Sequence, residues 1–342
     1  MKIAIANKEG GFTQRWITYC ERNHIDYKIV DCYSTNIIQD LHDCDVLMWH
    51  HSHANYKDVL FAKQLLYALE QSGKKVFPDF NTVWHFDDKV GQKYLLESIQ
   101  APLVPSYVFY TKKEALKWIN ATNFPKVFKL RNGAGSSNVK LIKNKRKAIS
   151  VINKAFGKGF SHCDYFSLSF DAFKKMLKGR SVFKDVLKYL AFHFFPSKFG
   201  ANFFPRIKGY VYFQDFIPNN KFDIRIVVIN SNAFAIKRMV RENDFRASGS
   251  GQLIYGQNEI PIQCVQIALD ISKRLHVQCM TYDFVFTQSN SPLIVEMSYG
   301  FSAEGYDKCP GYWTDDLAWH QGQFNPYGWM VENLEGIKAY QN

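Results

Sequence analysis

Two arginines and two acids in the second half of the chain have the types and spacing to handle a phosphoanion. Arg225 and Arg238 fall in successive strand-like segments, DIRIVVI and AFAIKRMV. A guanidinium fork binds a carboxylate or phosphate edge bidentately and keeps its charge at any relevant pH. Two such forks on one sheet face could neutralise a transferring phosphoryl group, whereas an isolated arginine more often makes a surface ion pair. Asp283 and Glu296 lie thirteen positions apart in otherwise apolar segments, consistent with adjacent antiparallel strands joined by the polar turn from Thr287 to Pro292. A carboxylate in such a setting needs a partner, and an oxygen-liganded divalent cation is one. Ser298 adds a hydroxyl two residues past Glu296.

Further cations precede these. Lys89 stands in FDDKVGQKYLL and Lys129 in FPKVFKLRNGAGSSNV. Gly133, Gly135, Ser136 and Ser137 would let backbone donors approach a phosphate closely, although a Gly/Ser loop alone is commonly a plain turn. Gln214, Asp215, Phe216 and Ile217 end an apolar run before Pro218-Asn219-Asn220. Arg246 and Ser248 follow Arg238 in a polar loop, where substrate contact competes with simple solvation.

The elements that must position these residues alternate in period. Short apolar runs at Ile3 to Ala6, Tyr27 to Val30 and Val46 to Trp49 separate helix-period stretches such as Tyr56 to Gln71, which predicts a parallel α/β unit. Asp88 to Ile99 predicts an amphipathic helix ended by Ala-Pro-Leu-Val-Pro. Thr111 to Glu114 reads as a capping box. Strands are predicted at 126–130 and 139–142 around the glycine-rich loop, then consecutively at 210–217, 223–229 and 233–240. A helix over 261–275 and strands at 281–286 and 293–297 complete the series. The fold class is α/β (α+β).

The order and spacing of these segments resemble the ATP-grasp superfamily, especially its ribosomal-protein glutamate ligase and glutathione synthetase branches, over residues 81 to 300. The resemblance implies an ATP-grasp fold with an N-terminal parallel α/β domain (1–80), a central nucleotide-clamping domain (81–209) and a C-terminal catalytic domain (210–342), ATP lying between two sheets. It implies an ADP-forming carboxylate–amine ligase that uses ATP and Mg2+ through an acyl phosphate. In that scheme Lys89, Lys129, Gly133, Gly135, Ser136, Ser137, Gln214, Asp215, Phe216, Ile217 and Asp223 hold ATP, and Arg225 and Arg238 serve the γ-phosphate. Asp283, Glu296 and Ser298 hold magnesium, and Arg246 and Ser248 meet the substrate. Three positions depart from the pattern: Asp215 stands where glutamate is usual, Phe222 where glycine is frequent, and Ser298 where Glu-x-Asn has asparagine.

Composition sets the bounds. With 342 residues, 46% of them apolar, the chain can bury a large core divided over several domains. The N-terminus reads as a first strand and not a signal peptide, and no run of about 18 apolar residues occurs, so a cytoplasmic protein is expected. Seven dispersed cysteines without a CxxC pair fit reduced thiols. The net charge of +12 favours an anionic partner. Residues 154–208 carry eleven Lys/Arg against three Asp, a basic, aromatic-rich insertion. An anionic membrane surface, with peripheral attachment there, or an acidic polysaccharide is the candidate partner; no nucleic-acid motif is present, so nucleic acid is not expected. His50, His51 and His53 end an apolar run and read as a substrate-facing loop in preference to a metal cluster. The aromatic C-terminal segment resembles those of ATP-grasp proteins of bacterial surface-polysaccharide loci, which points to a saccharide or other small carboxylate and an amine as substrates. Peptide or glutamate ligation, and a catalytically silent ATP-binding regulatory module, are the alternatives.

Overall fold

The computed structural model describes residues 1–133, 138–161, 169, 172–173, 176, 183–194, 205–241, 244–247 and 249–335. They form two compact units, one of residues 1–86, 96–102 and 217–342, the other of residues 87–95 and 103–216.

The first unit begins with β1 (Ile3–Ala6), α1 (Gly11–Arg22), β2 (Tyr27–Val30), α2 (Ile37–Asp40), β3 (Val46–Met48), α3 (Tyr56–Gln71), β4 (Lys75–Phe77) and α4 (Phe80–Val83). The strands make a parallel sheet in the order β2-β1-β3-β4. β1 and β3 are wholly buried, as strands covered on both faces must be, which explains their unbroken apolar runs. Phe12, Trp16 and Cys20 recur at helical spacing and form the buried stripe of α1.

The second unit holds α5 (Lys89–Ser98) over residues 89–95, then β5 (Ser106–Phe109), α6 (Lys112–Ala121), β6 (Lys126–Lys129), β7 (Val139–Ile142), α7 (Lys145–Ala155), α8 (Phe183–Phe194) and β8 (Val211–Asp215). Its antiparallel sheet runs β5-β8-β6-β7, with Phe128 and Phe213 packed on Ala115 and Ile119 of α6 and Ala148 and Ile152 of α7. The capping box forms on its backbone side: Glu114 N–H donates to Thr111 Oγ1 at 3.2 Å. The Glu114 carboxylate accepts from the Thr111 hydroxyl at 2.7 Å.

The chain returns to the first unit with β9 (Phe222–Ile229), β10 (Asn232–Met239), β11 (Leu253–Ile254), α9 (Ile262–Leu275), β12 (Cys279–Phe286), β13 (Pro292–Ser298), β14 (Gly311–Trp313), β15 (Trp319–Gln321) and α10 (Pro326–Glu335). The second sheet of this unit is antiparallel, in the order β13-β12-β9-β10-β14-β15 with β11 beside β10. One core joins the unit's two sheets: Ile3, Ile5, Phe12 and Trp16 pack in a cluster with Val227, Phe234, Met330 and Leu334.

Most elements lie within one or two residues of the sequence expectation. β8 differs in its company. It reads as the first of three consecutive strands, but it pairs with β5 and β6, while β9 pairs with β10 and β12. Pro218 and Asn219, the latter at φ 66, end the run, and the chain passes from one unit to the other between Phe216 and Ile217. The three segments expected from sequence are thus distributed over two units, because residues 1–80 and most of 210–342 share a core. Much of 154–208 lies outside the described residues. The six described cysteines are free and buried, and among the described residues no helix is long and apolar enough to cross a membrane.

Candidate active site

Strand register assembles the charged centre of the first unit. The two-residue turn Asn230-Ser231 sets β10 against β9 so that Arg238 lies opposite Asp223, and β12 sets Asp283 opposite both Arg225 and Glu296. Asp223 and Arg225 are two residues apart and share a face. Arg225 donates Nε to Asp283 Oδ1 at 2.5 Å and NH2 to Oδ2 at 2.7 Å. Arg238 donates Nε and NH2 to the two Asp223 oxygens, both at 2.6 Å, and its NH2 lies 2.8 Å from Asp283 Oδ2. The result is an alternating row, Arg225–Asp283–Arg238–Asp223, with Arg238 only 7% exposed in its side chain and Asp283 10%.

Burial alone would raise the Asp283 carboxyl, but Arg225 and Arg238 outweigh it and hold the group well below the ordinary range. Burial acts to lower Arg238, and Asp283 with Asp223 keeps it above its usual value. For Asp223 burial is the larger influence and pushes its carboxyl up despite Arg238. Asp283 is therefore the firmest anion of the row. Glu296 of β13 is its register partner, and both Asp283 oxygens already accept from Arg225 or Arg238; oxygen donors of this kind suit magnesium. The Ser298 hydroxyl is used in a local turn: it donates to Gly300 O at 3.1 Å and accepts from Gly300 N at 3.2 Å. Arg246 holds Asp244 through Nε and NH2 at 2.6–3.1 Å, a local clasp. Ser248 lies outside the described residues.

In the second unit Lys126 and Asp215 are register partners joined at 2.5 Å, and the Lys126 ammonium lies over the Tyr107 and Trp118 rings. Gln214, 1% exposed, donates Nε2 to Ser106 Oγ at 3.1 Å. Lys89 and Lys129 are both buried. Lys89 Nζ donates to Gly133 O at 2.8 Å, and Gly133 N–H donates to Asp87 Oδ1 at 2.7 Å. Asp88 pairs with Arg131 while its other oxygen accepts from the first amides of α5. The entry of the glycine-rich loop is thus tied to a helix N-terminus. Gly135, Ser136 and Ser137 lie outside the described residues.

Residues 203–313 match the family model of the RimK-like ATP-grasp domain. The chain is similar to a RimK domain ATP-grasp protein from Sphaerobacter thermophilus, with TM-score 0.56, 13% identity and coverage of 98% of this chain and 100% of that one. The fold is the ATP-grasp fold. Two further structures share it. The biotin carboxylase domain of Hydrogenobacter thermophilus 2-oxoglutarate carboxylase, in complex with MgADP, matches at TM-score 0.61 and 13% identity over 100% of this chain and 71% of that one. D-alanine–D-alanine ligase from Bacillus anthracis matches at TM-score 0.51 and 15% identity over 88% of each chain. No curated protein sequence matches.

Within this ATP-grasp framework several polar contacts escaped the sequence reading. Asp223, expected to meet the nucleotide, is also the bidentate partner of Arg238. The short Asn230-Ser231 turn was the available signal, since it dictates which residues of β9 and β10 oppose each other. Lys126 was passed over for Lys129, and only the pairing of β6 with β8 selects it. Tyr306 left no local signal: it is buried, burial pushes its phenol up to about 12, and its hydroxyl lies in the field of Arg225, Arg238 and Asp283.

Proposed function

We propose that the chain is an ADP-forming carboxylate–amine ligase. The observation that carries this reading is the row Arg225–Asp283–Arg238–Asp223 on one sheet face, two guanidinium forks interleaved with two carboxylates. A carboxylate oxygen attacks the γ-phosphorus of ATP, the bond to the β,γ-bridging oxygen breaks, and ADP leaves. An amine then attacks the acyl-phosphate carbon, inorganic phosphate leaves, and the nitrogen loses a proton. Arg225 and Arg238 take the charge of the transferring group, so positioning and charge neutralisation carry the rate. Asp283 and Glu296 would hold magnesium, which shields the phosphate charge when bound; Ser298 would join them only by leaving its turn with Gly300. Lys89, Lys126, Lys129 and the loop from Gly133 to Ser137 serve the nucleotide phosphates, and Gln214 to Ile217 serve the adenine. Arg246 and Ser248 meet the substrate.

The preferred substrate is a sugar or amino-acid carboxylate joined to a small amine during surface-polysaccharide modification in the cytoplasm. The half-buried aromatics Tyr312 and Trp319 near the C-terminus support a saccharide. D-alanine–D-alanine ligase among the fold relatives supports a second reading, amino-acid or peptide ligation. The test is ADP and phosphate release from magnesium-ATP over a panel of uronates, amino acids and peptides, each with and without amines. Release that needs both partners and is lost in Asp283→Asn supports ligation. Turnover with peptides alone excludes the saccharide reading, and tight ATP binding without release for any pair favours the regulatory alternative.

The basic insertion is the proposed contact for an anionic membrane or acidic polysaccharide. α8 exposes Phe183, Leu187 and Phe194, and its Lys184 and Lys188 are exposed as well, a pattern that supports interfacial attachment. Co-sedimentation with anionic but not neutral vesicles is expected, and equal recovery with both would count against it.

A further inference from the structure

The strand break Pro218-Asn219-Asn220 has no part in the reading above, yet its last residue ties two components of that reading together. The chain leaves β8 at Asp215, whose N–H donates to Pro105 O at 2.9 Å and whose carboxylate pairs with Lys126. It enters β9 at Phe222. In between, Pro218 has no amide to donate, and Asn219 turns the backbone at φ 66, a conformation that asparagine tolerates better than most residues. Both residues are exposed. The segment borders a cavity of about 730 Å3 that is lined as well by Ile262 and Gln263 at the start of α9 and by Thr287 of the β12–β13 turn. On that side little packing supports it.

Hydrogen bonds from one half-buried side chain stand in for that packing. Asn220 Nδ2 donates to Ile217 O and Pro218 O, each at 3.3 Å, and to Phe286 O at 3.0 Å. Its Oδ1 accepts from Phe286 N–H at 2.8 Å. One amide facing an N–H with its oxygen and three carbonyls with its nitrogen has its orientation decided by its partners. The β9–β12 ladder ends at the pair Ile224 and Phe284. Two residues further along β12, Asn220 engages both the amide and the carbonyl of Phe286, as a paired strand residue would. Phe286 and Asp283 belong to the same strand. The peptides that follow Phe216 are therefore fastened to the strand that carries Asp283. Aspartate in place of Asn220 would keep the shape and the bond from Phe286 N–H, but a carboxylate donates to no carbonyl.

We propose that Asn220 is a positioning residue for nucleobase recognition: it fixes Ile217 and Pro218 so that the segment from Gln214 to Ile217 offers the adenine a rigid edge, while other residues hold the phosphates. The proposal rests on the assignment of that segment to the adenine, and it concerns binding alone. The experiment is a calorimetric titration of the full chain, with magnesium present, by ATP and separately by tripolyphosphate, which offers the phosphates without the base. The native protein should prefer ATP. Asn220→Asp should weaken ATP binding at least about tenfold, the scale of one or two lost hydrogen bonds, and leave tripolyphosphate within about twofold. Asn220→Ala adds no charge and should do the same; a melting curve checks each fold, and if one variant fails to fold the other decides. Unchanged ATP affinity in a folded variant, or equal losses for ATP and tripolyphosphate, overturns the proposal and leaves the adenine assignment standing. Equal binding of the two probes by the native protein overturns that assignment, and the proposal with it.

Discussion

The arginine–carboxylate row and the crevice at the ends of β1 and β3 lie in one unit but are built in different ways. The row is fixed by β-ladder register: each charge stands opposite its partner, and two cations offset two anions. The crevice is fixed by loops, a helix start and ring stacking of His50 on Phe12, and there Asp58 is spent on the Ser52 amide and the Tyr33 hydroxyl. A ladder can hold buried charge at rest because it supplies the counter-charge with the geometry.

The largest expected effect breaks the row. Arg238→Ala leaves Asp223 and Asp283 short of a buried cation and should cost about 3–5 kcal/mol in urea unfolding, with ADP release lost. A loss below about 1 kcal/mol, the scale of a surface pair, would mean that the row is not a buried network.

Acid sharpens the contrast from the other side. His50 and His51 are held neutral by burial, so the unfolded chain binds protons that the folded rings refuse. Stability should therefore fall as pH drops from about 6.5 to about 5.5, by up to about 1.4 kcal/mol for each ring. The contribution of Asp283, whose carboxyl is depressed in the fold, is present above its unfolded value of about 3.9 and is lost only below it. Unfolding curves at successive pH values separate the two, and a flat profile between pH 6.5 and 5 would show that neither ring is buried neutral.

The smallest of the three effects tests the loop geometry alone. In Gly11→Ala the new Cβ would lie 2.6 Å from His50 Nδ1, on a backbone at φ 62 that alanine resists. A loss of about 1–3 kcal/mol is expected, with a change in the His50 15N signature. An unchanged melting midpoint and spectrum would show that the ring is not clamped there.

Much of the row was legible before the fold. Arg225, Arg238, Asp283 and Glu296 stand out as charges within apolar segments, and the β12–β13 pairing follows from their spacing and turn. Asp223 was read as a nucleotide contact from the resemblance, and its pairing with Arg238 across the hairpin was not foreseen. Lys126 and Lys8 were obscure for another reason: each meets a residue far along the chain, Asp215 or His50, and no local pattern encodes that meeting; His50 was read as part of a substrate-facing loop, but its bond from Phe12 was likewise hidden.

By itself, then, the sequence determined what short-range forces determine: apolar periodicity marked the strands and helices, Thr111 capped α6, and a two-residue turn dictated the β9–β10 register. Only the tertiary structure decided that β8 leaves the strands that follow it, that residues 1–86 share a core with 217–342, and that Lys8 meets His50. Those outcomes depend on burying surfaces distant in sequence against one another, and the free energy of such burial is settled only when all the competing pairings are present at once.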